Sequence, residues 1–296
     1  MSQTDLHLHS SVSGDGEVSP RGVAELCCQY DVTLAALTDH NDITGVAEFI
    51  WRCAQLGIQA ISGVELDCMY ESTLLHILGY GIDISHPTLL RALRETQERQ
   101  KQAGLRMMDA VASLGIRFDQ SQVLETAGDG AVCAEMIAQS ALRTPENHTH
   151  PLIRPLLPGG ALASRPLIGF YWSVCAPGKP AYVPVQYMAA KQAISLLHEA
   201  GGRAILAHPG ASITEPTILD EVLRLPFDGI EAFSSYHSAA QAAFYTEKAK
   251  EQCLLVTGGS DFHGNTKPDI QIGAVDWQGH EQEARSAMLN ALSGEA

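Results

Sequence analysis

The sequence is poor in positive charge. Of its 296 residues, 19 are Lys or Arg and 34 are Asp or Glu, a formal net charge of −15. The basic residues form no run. Proteins that coat a long nucleic acid displace counterions with clustered Lys and Arg, so the composition argues against that class. A small phosphorylated substrate stays open, because bound cations reverse the local field. No apolar run approaches the ~20 residues needed to span a bilayer. The seven cysteines form no C-x-x-C pair and are odd in number. Most sit in apolar stretches and read as small buried hydrophobes in a reducing compartment. A strand expected from Thr4 onward leaves no room for a signal peptide, so the expected location is the cytoplasm. G-x-S-x-G, Walker and G-x-G-x-x-G motifs are missing, as are a Ser-His-Asp order and internal repeats.

What is present is a hydrophobic content of 45% with 26 glycines and 14 prolines. That suits an α/β enzyme long enough for one large barrel, or for a domain carrying an insertion. The N-terminal stretch Thr4-Asp5-Leu6-His7-Leu8-His9-Ser10 reads as a strand. Alternation then turns His7 and His9 to one face, and Leu6 and Leu8 to an apolar layer on the other. Ser19-Pro20 caps a helix to about Tyr30. Strands follow at Thr33–Thr38, at Ile58–Val64 (ending in Glu65) and at Leu74–Tyr80, with a helix from about Gly45 to Gln55. This alternation favours a largely parallel sheet or barrel, with polar residues collecting at strand ends.

The rhythm breaks after His86. Helix is expected to about Leu114, near 122–124 and over Cys133–Leu142, and Arg143–Pro184 reads as irregular and rich in proline. We take 1–86 and 186–296 as one barrel and 87–185 as a mostly helical inserted cap that binds substrate. The barrel resumes with a helix over Met188–Glu199 and a strand over Arg203–Ala207 leading to His208. A strand at Asp228–Phe233 follows, then one at Leu254–Thr257 leading to Asp261 and His263. Helices are expected near Pro216–Leu225, His237–Gln252 and Glu281–Leu292.

Nine N/O donors lie at or near these strand ends: His7, His9, Asp15, His40, Glu65, His76, His208, Asp261 and His263. That is more than one tetrahedral ion can hold, and it suits two or three divalent ions. Imidazole with carboxylate accommodates Mn, Fe or Zn. Clustered ions give hydroxide near neutrality and neutralise phosphate oxygens, so hydrolysis is the expected reaction.

The stretches Asp5-Leu6-His7-Leu8-His9-Ser10 with Asp15-Gly16, Thr38-Asp39-His40, Gly63-Val64-Glu65, Leu206-Ala207-His208-Pro209 and Gly259-Ser260-Asp261-Phe262-His263 carry a resemblance. They resemble the polymerase-and-histidinol-phosphatase (PHP) superfamily over about 1–85 and 186–296. The resemblance implies a distorted (β/α)7, TIM-like barrel around a trinuclear centre. His7, His9, Glu65 and Asp261 would hold one ion. Glu65 would bridge to a second, with His76 and His208, and Asp15, His40 and His263 would hold the third. Asp15, Glu65, His208 and Asp261 would act in catalysis, through a metal-bound hydroxide.

Gly178-Lys179-Pro180-Ala181-Tyr182-Val183-Pro184 and Ala200-Gly201-Gly202 look like the stand-alone phosphoesterases of that superfamily. Those include nucleotide 3′,5′-bisphosphate phosphatases and a phosphoribosyl 1,2-cyclic phosphate hydrolase. The bisphosphatases usually start a helix of the insertion with G-R-P-H. Here Val132-Cys133-Ala134-Glu135-Met136-Ile137 stands instead, without arginine or histidine. Lys179, Arg154 and Arg165 are the candidate phosphate contacts, arginine for bidentate binding and lysine as a point charge. The expected substrate is a small phosphorylated ribose compound, with a ribose cyclic phosphate placed first. A nucleotide bisphosphate is the alternative, and a non-catalytic metal-binding module a further one. Neither a long nucleic acid nor a membrane is expected as partner. A hydrolase of carbon–nitrogen bonds would favour a carboxylated lysine, and no suitable lysine stands at a strand end.

Overall fold

The computed structural model describes residues 2–213 and 215–294. The chain runs β1 (Thr4–Leu8), α1 (Pro20–Gln29), β2 (Leu34–Leu37), α2 (Val46–Gln55), β3 (Gln59–Tyr70) and β4 (Thr73–Tyr80). Next come α3 (Pro87–Ser113), α4 (Gln120–Ala127), α5 (Ala134–Arg143) and α6 (Pro166–Phe170). The chain then passes through β5 (Met188–Ala189), α7 (Ala190–Glu199), β6 (Arg203–Leu206), α8 (Pro209–Ser212) and α9 (Pro216–Val222). It ends with β7 (Gly229–Ser234), α10 (Ala239–Glu251), β8 (Leu255–Gly259) and α11 (Glu281–Ser293). Two compact units result, Met1–Leu93 with Tyr187–Ala296, and Arg94–Gln186.

The first unit is a nearly closed barrel in the strand order β1-β2-β3-β4-β6-β7-β8, with β5 added to β3. A parallel bridge between Leu8 and Phe262 brings its two ends together, and Asp261 N donates to His7 O at 2.9 Å. The sheet is less parallel than expected: β4 pairs antiparallel with both β3 and β6. The cause is the tight turn between Tyr70 and Thr73, with Glu71 at φ +52, which makes β3 and β4 a hairpin rather than a crossover pair. Strand β3 therefore runs for 12 residues, well beyond Val64.

This hairpin separates core from chemistry. One face of β3 carries Ile61, Gly63, Glu65 and Asp67, and the matching face of β4 carries Tyr80, Leu78 and His76. Ile61, Leu78 and Tyr80 pack with Leu6, Leu34, Ile205 and Met288. Tyr80, fully buried, donates its hydroxyl to Leu6 O at 2.8 Å. The opposite face, Val64, Leu66, Leu75 and Ile77, packs with Ile194 and Leu197 of α7. Each lobe of the face is thus apolar at one end and ligand-bearing at the other.

Two further expectations change. Leu6 and Leu8 lie in different apolar clusters, because the register of β1 on β2 shifts between Asp5 and Leu8. Met188 and Ala189 extend as β5 along Cys68 and Met69 instead of opening α7.

The second unit has its own core of Val111, Val123, Ile137, Ala138, Ile153, Phe170 and Val174. Gly104 lets α3 approach the backbone of Val132, whose carbonyl a Cβ there would meet at 2.6 Å. The proline-rich stretch is more ordered than expected. Pro166 sits in the first turn of α6, and Tyr171–Cys175 continues it as a wider π-helical turn. No helix of the described residues is long and apolar enough to cross a membrane.

Gly259 tests the barrel closure. A Cβ there would overlap the Cβ and backbone nitrogen of His7 on the neighbouring strand. Gly259→Ala should destabilise the protein by about 1–3 kcal/mol. A lowered thermal midpoint measures it, and an unchanged one would show that β1 yields freely.

Candidate metal centre

The ligand-bearing face gathers all nine donors foreseen. His7 comes from β1, with His9 just beyond it. His40 follows β2, while Glu65 and His76 lie mid-strand on β3 and β4. His208 follows β6, and Asp261 and His263 follow β8. Glu65 and His76 are thus not at strand ends. The hairpin carries both past the barrel rim, where alternation still aims them inward.

Donor atoms group within 4.8 Å of one another in four sets: His7, His9, Glu65 and Asp261; His9, Asp15, His40 and His263; Glu65, His76 and His208; and His40, Asp67 and His76. In the first set His7 Nε2 and His9 Nε2 are 3.1 Å apart. Glu65 Oε2 is 3.2 and 3.1 Å from them, and Asp261 Oδ1 3.2 and 3.0 Å. With metal–ligand bonds of about 2.1 Å, neighbouring donors at right angles lie about 3.0 Å apart, and at the tetrahedral angle about 3.4 Å. The spacing is that of a coordination polyhedron.

Glu65 divides its oxygens. Oε2 faces His7 and His9, with His40 Nε2 at 3.4 Å, while Oε1 lies 3.1 Å from His208 Nε2 and 3.0 Å from His76 Nδ1. Asp15 Oδ2 is 3.0 Å from His263 Nε2 and 3.8 Å from His40 Nε2. His76 Nδ1 and His263 Nε2 are buried and make no hydrogen bond of proper geometry, despite those short separations. Lone pairs aimed at a shared third body give that combination. The donor set therefore fits divalent ions held by imidazole and carboxylate.

The tautomers follow from the outer partners. His7 Nδ1 donates to Glu231 Oε1 at 3.0 Å, His263 Nδ1 to Asp261 O at 2.8 Å, and His40 Nδ1 to Asp67 Oδ1 at 3.1 Å. Ser13 gives its hydroxyl hydrogen to Asp39 Oδ1 at 2.8 Å, so it accepts from His9 Nδ1 at 3.1 Å. In the neutral form each of these rings has its lone pair on Nε2, turned toward the cluster. Asp39 also accepts from Ser10 N and Ser10 Oγ at 2.7 and 2.8 Å, which fixes the turn after β1. Three non-glycine residues sit at positive φ here, Asn41 (51°), His208 (21°) and Asp261 (58°). Continued extension would have sent His208 to the outer face with Leu206. The turn at His208 brings its ring back, and His208 N donates to Glu231 Oε2 at 2.8 Å.

Burial shifts these groups one way and their neighbours the other. His7 and His40 are pulled down by burial, yet end well above the ordinary imidazole value. Glu231, Glu65 and Asp261 raise the one, and Glu65, Asp67 and Asp15 the other. His9 rises for the same reason, through Asp261 and Glu65. Glu65 and Asp261 are raised by burial but held well below the carboxylate range by the surrounding imidazoles. Asp15 and Asp67 are lowered likewise. His263 falls, through burial and the charge of His9.

Five residues of the site were not foreseen. Asp67 stands two positions past Glu65 on the same strand face, the same i, i+2 relation as His7 and His9, so its signal was present. Glu231 was legible as a lone carboxylate in the apolar strand Gly229–Ser234. Asp39 lies inside the Thr38-Asp39-His40 motif, in which the sequence reading takes only His40 as a donor. Tyr236 and Lys267, which meet at Asp261 Oδ2, gave no sequence signal. Of the expected substrate contacts, Lys179, Arg154 and Arg165 are exposed residues of the second unit. Gly178, at φ +78, turns the chain just before Lys179, whose N donates to Ala176 O at 2.9 Å.

Comparison with known proteins adds to this geometry. The family pattern described as "PHP domain" matches residues 5–122. A 3′,5′-nucleoside bisphosphate phosphatase of Chromobacterium violaceum is 31% identical over 287 residues, covering 93% of this chain and 92% of the relative. A phosphoribosyl 1,2-cyclic phosphate 1,2-diphosphodiesterase of Eggerthella lenta is 29% identical, covering 88% and 94%. The 5′-3′ exoribonuclease Rnm of Escherichia coli is 29% identical, covering 92% and 89%. A solved structure described as an amidohydrolase from Chromobacterium violaceum with bound sulfate and no metal superposes with a TM-score of 0.77. It has 26% identity and covers 100% of both chains.

Two outcomes follow. Asp67→Ala frees the rings of His40 and His76 and should weaken binding of Mn2+ by about 10–100-fold, read by competition with a chelator dye. Protons compete with ions for His7, His9 and His40, whose metal-free values are raised. Loading releases those protons, so the apparent affinity should climb as pH rises above the ordinary histidine range. A pH-independent chelator titration would contradict this.

Proposed function

Because this chain belongs to the PHP family and is a metal-dependent phosphoesterase, we propose that it hydrolyses a small phosphorylated ribose compound, with a ribose 1,2-cyclic phosphate as first choice. His7, His9, Glu65 and Asp261 would hold one ion. Glu65, His76 and His208 would hold a second, and Asp15, His40 and His263 a third. Divalent ions of the Mn, Fe or Zn type, bound there, lower the pKa of water and neutralise phosphate oxygens. The protein's own contribution is orientation. Glu231, Asp67 and Ser13 keep the ligand rings in one tautomer, so the donors are in place before substrate arrives. Asp15, Glu65, His208 and Asp261 would act in catalysis as holders of those ions. A cyclic diester needs two cleavages at one phosphorus, and the same donors serve both steps. Lys179, Arg154 and Arg165 are proposed to contact substrate phosphate.

The observation that carries this reading is the start of α5. Cys133 caps it without a side-chain hydrogen bond, Ala134, Ile137 and Ala138 are buried, and no basic residue stands between Val132 and Ile137. No side chain in that stretch offers a cation to the second phosphate of a bisphosphate. The second reading, a nucleotide 3′,5′-bisphosphate phosphatase, is favoured by the overall likeness to the Chromobacterium violaceum enzyme.

Phosphate release decides between them. The Mn2+-loaded protein is offered ribose 1,2-cyclic phosphate, a nucleotide 3′,5′-bisphosphate and a short RNA oligonucleotide in parallel. The largest kcat/KM is expected for the cyclic phosphate, by tenfold or more. A preference for the bisphosphate establishes the second reading, and turnover of the oligonucleotide alone overturns both. Lys179→Met should raise KM about tenfold, the loss of one charge-assisted hydrogen bond.

A further inference from the structure

Asp261 offers its two oxygens to different surroundings. Oδ1 lies 3.2 and 3.0 Å from the Nε2 atoms of His7 and His9. Oδ2 faces away from that set and accepts from Tyr236 Oη at 2.6 Å and Lys267 Nζ at 2.8 Å. Lys267 Nζ also donates to Tyr236 Oη at 2.7 Å, which closes a ring of three hydrogen bonds.

The ring is built from three separate loops. Tyr236 follows β7, Asp261 follows β8, and Lys267 follows the short 3-10 turn Gly264–Thr266. That turn is tied down by Lys267 N to Gly264 O at 3.2 Å and by Asn265 N to Glu17 Oε2 at 3.0 Å. The Tyr236 ring stands edge-on to His208, with centroids 5.6 Å apart. One phenol therefore borders both the set that contains Asp261 and the set that contains His208.

A lysine beside a metal ligand looks unfavourable, since its charge repels an incoming cation. The carboxylate geometry explains it. A free carboxylate binds a cation with one oxygen or two, and it swings between the modes. Two donors on Oδ2 leave Oδ1 alone to face the donor set. The backbone of Asp261, at φ +58, fixes the main chain but leaves the side-chain torsions to be set by such partners.

We propose that Tyr236 and Lys267 are positioning residues that clamp Oδ2 of Asp261 and thereby commit its other oxygen to the ion shared with His7, His9 and Glu65. The inference rests on the metal reading above, and its test reads ion binding rather than turnover.

The full-length chain is stripped with chelator and reloaded with Mn2+ alone. Bound manganese per chain and its affinity against a chelator dye are measured for the wild type, Tyr236→Phe, Lys267→Met and Lys267→Arg. Each of the first two variants should weaken one manganese by about tenfold or more. Lys267→Arg keeps a donor for Oδ2 and should recover most of the loss. The thermal midpoint of the stripped protein should stay at the wild-type value in all three. Unchanged manganese affinity in both Tyr236→Phe and Lys267→Met overturns the proposal. So does a loss that merely follows a lowered midpoint of the stripped protein. A raised KM with untouched manganese binding makes Lys267 a substrate contact and overturns the positioning role. A wild-type chain that holds no manganese overturns the metal reading itself, an outcome distinct from all of these.

Discussion

The buried carboxylate of Glu65 constrains everything around it. It has no exposure to solvent, and its two oxygens are approached by His7, His9 and His40 on one side and by His76 and His208 on the other. A buried carboxylate among neutral rings is costly unless positive charge is brought to it. Without ions the rings take up protons, which is why His7 and His40 are drawn upward while Glu65 is drawn down. The site is thus a concentration of negative charge and imidazole suited to bound cations.

Around that concentration lies a shell that decides orientation. Glu231 holds both the His7 ring and the backbone of His208, and so ties β1 to the turn after β6. Asp39 holds Ser10 and Ser13, and Ser13 in turn receives His9 Nδ1 and His40 N. Asn41 gives its amide to Asp67 Oδ2 at 2.8 Å, and so fixes the carboxylate that His40 addresses. These partners are buried, Glu231 on β7, Asp67 on β3 and the others in the loops after β1 and β2. Glu231, Ser13 and Asp67 are each hydrogen-bonded to a donor ring or to the backbone beside one.

The positive φ angles at Asn41, His208 and Asp261 belong to the same economy of space. A strand can aim only every second residue inward, so a barrel of short strands offers few inward positions. Sharp turns just beyond the strand ends add more. Asp and Asn tolerate the left-handed region best, whereas His208 reaches φ +21 and is held there by the backbone bond to Glu231. Hydrogen bonding to the shell offsets the local strain.

Much of this was legible in the chain alone. The i, i+2 pair His7 and His9, the Thr38-Asp39-His40 and His208-Pro209 turns, and Asp261 with His263 all announced ligand chemistry, because strand alternation is a local rule that a short stretch reveals. The same locality hid the hairpin. The i, i+2 spacing of Glu65 and Asp67 is visible in the sequence, but only the continuation of β3 to Tyr70 puts both carboxylates on one face. Tyr236 and Lys267 lie 25 and 6 residues from Asp261 and meet it only through loop closure. Residue type and spacing determined the donor inventory and the class of chemistry, since both depend on neighbours along the chain. Tertiary structure alone decided which oxygen of Glu65 or Asp261 faces which ring, because that choice depends on hydrogen bonds between strands far apart in sequence.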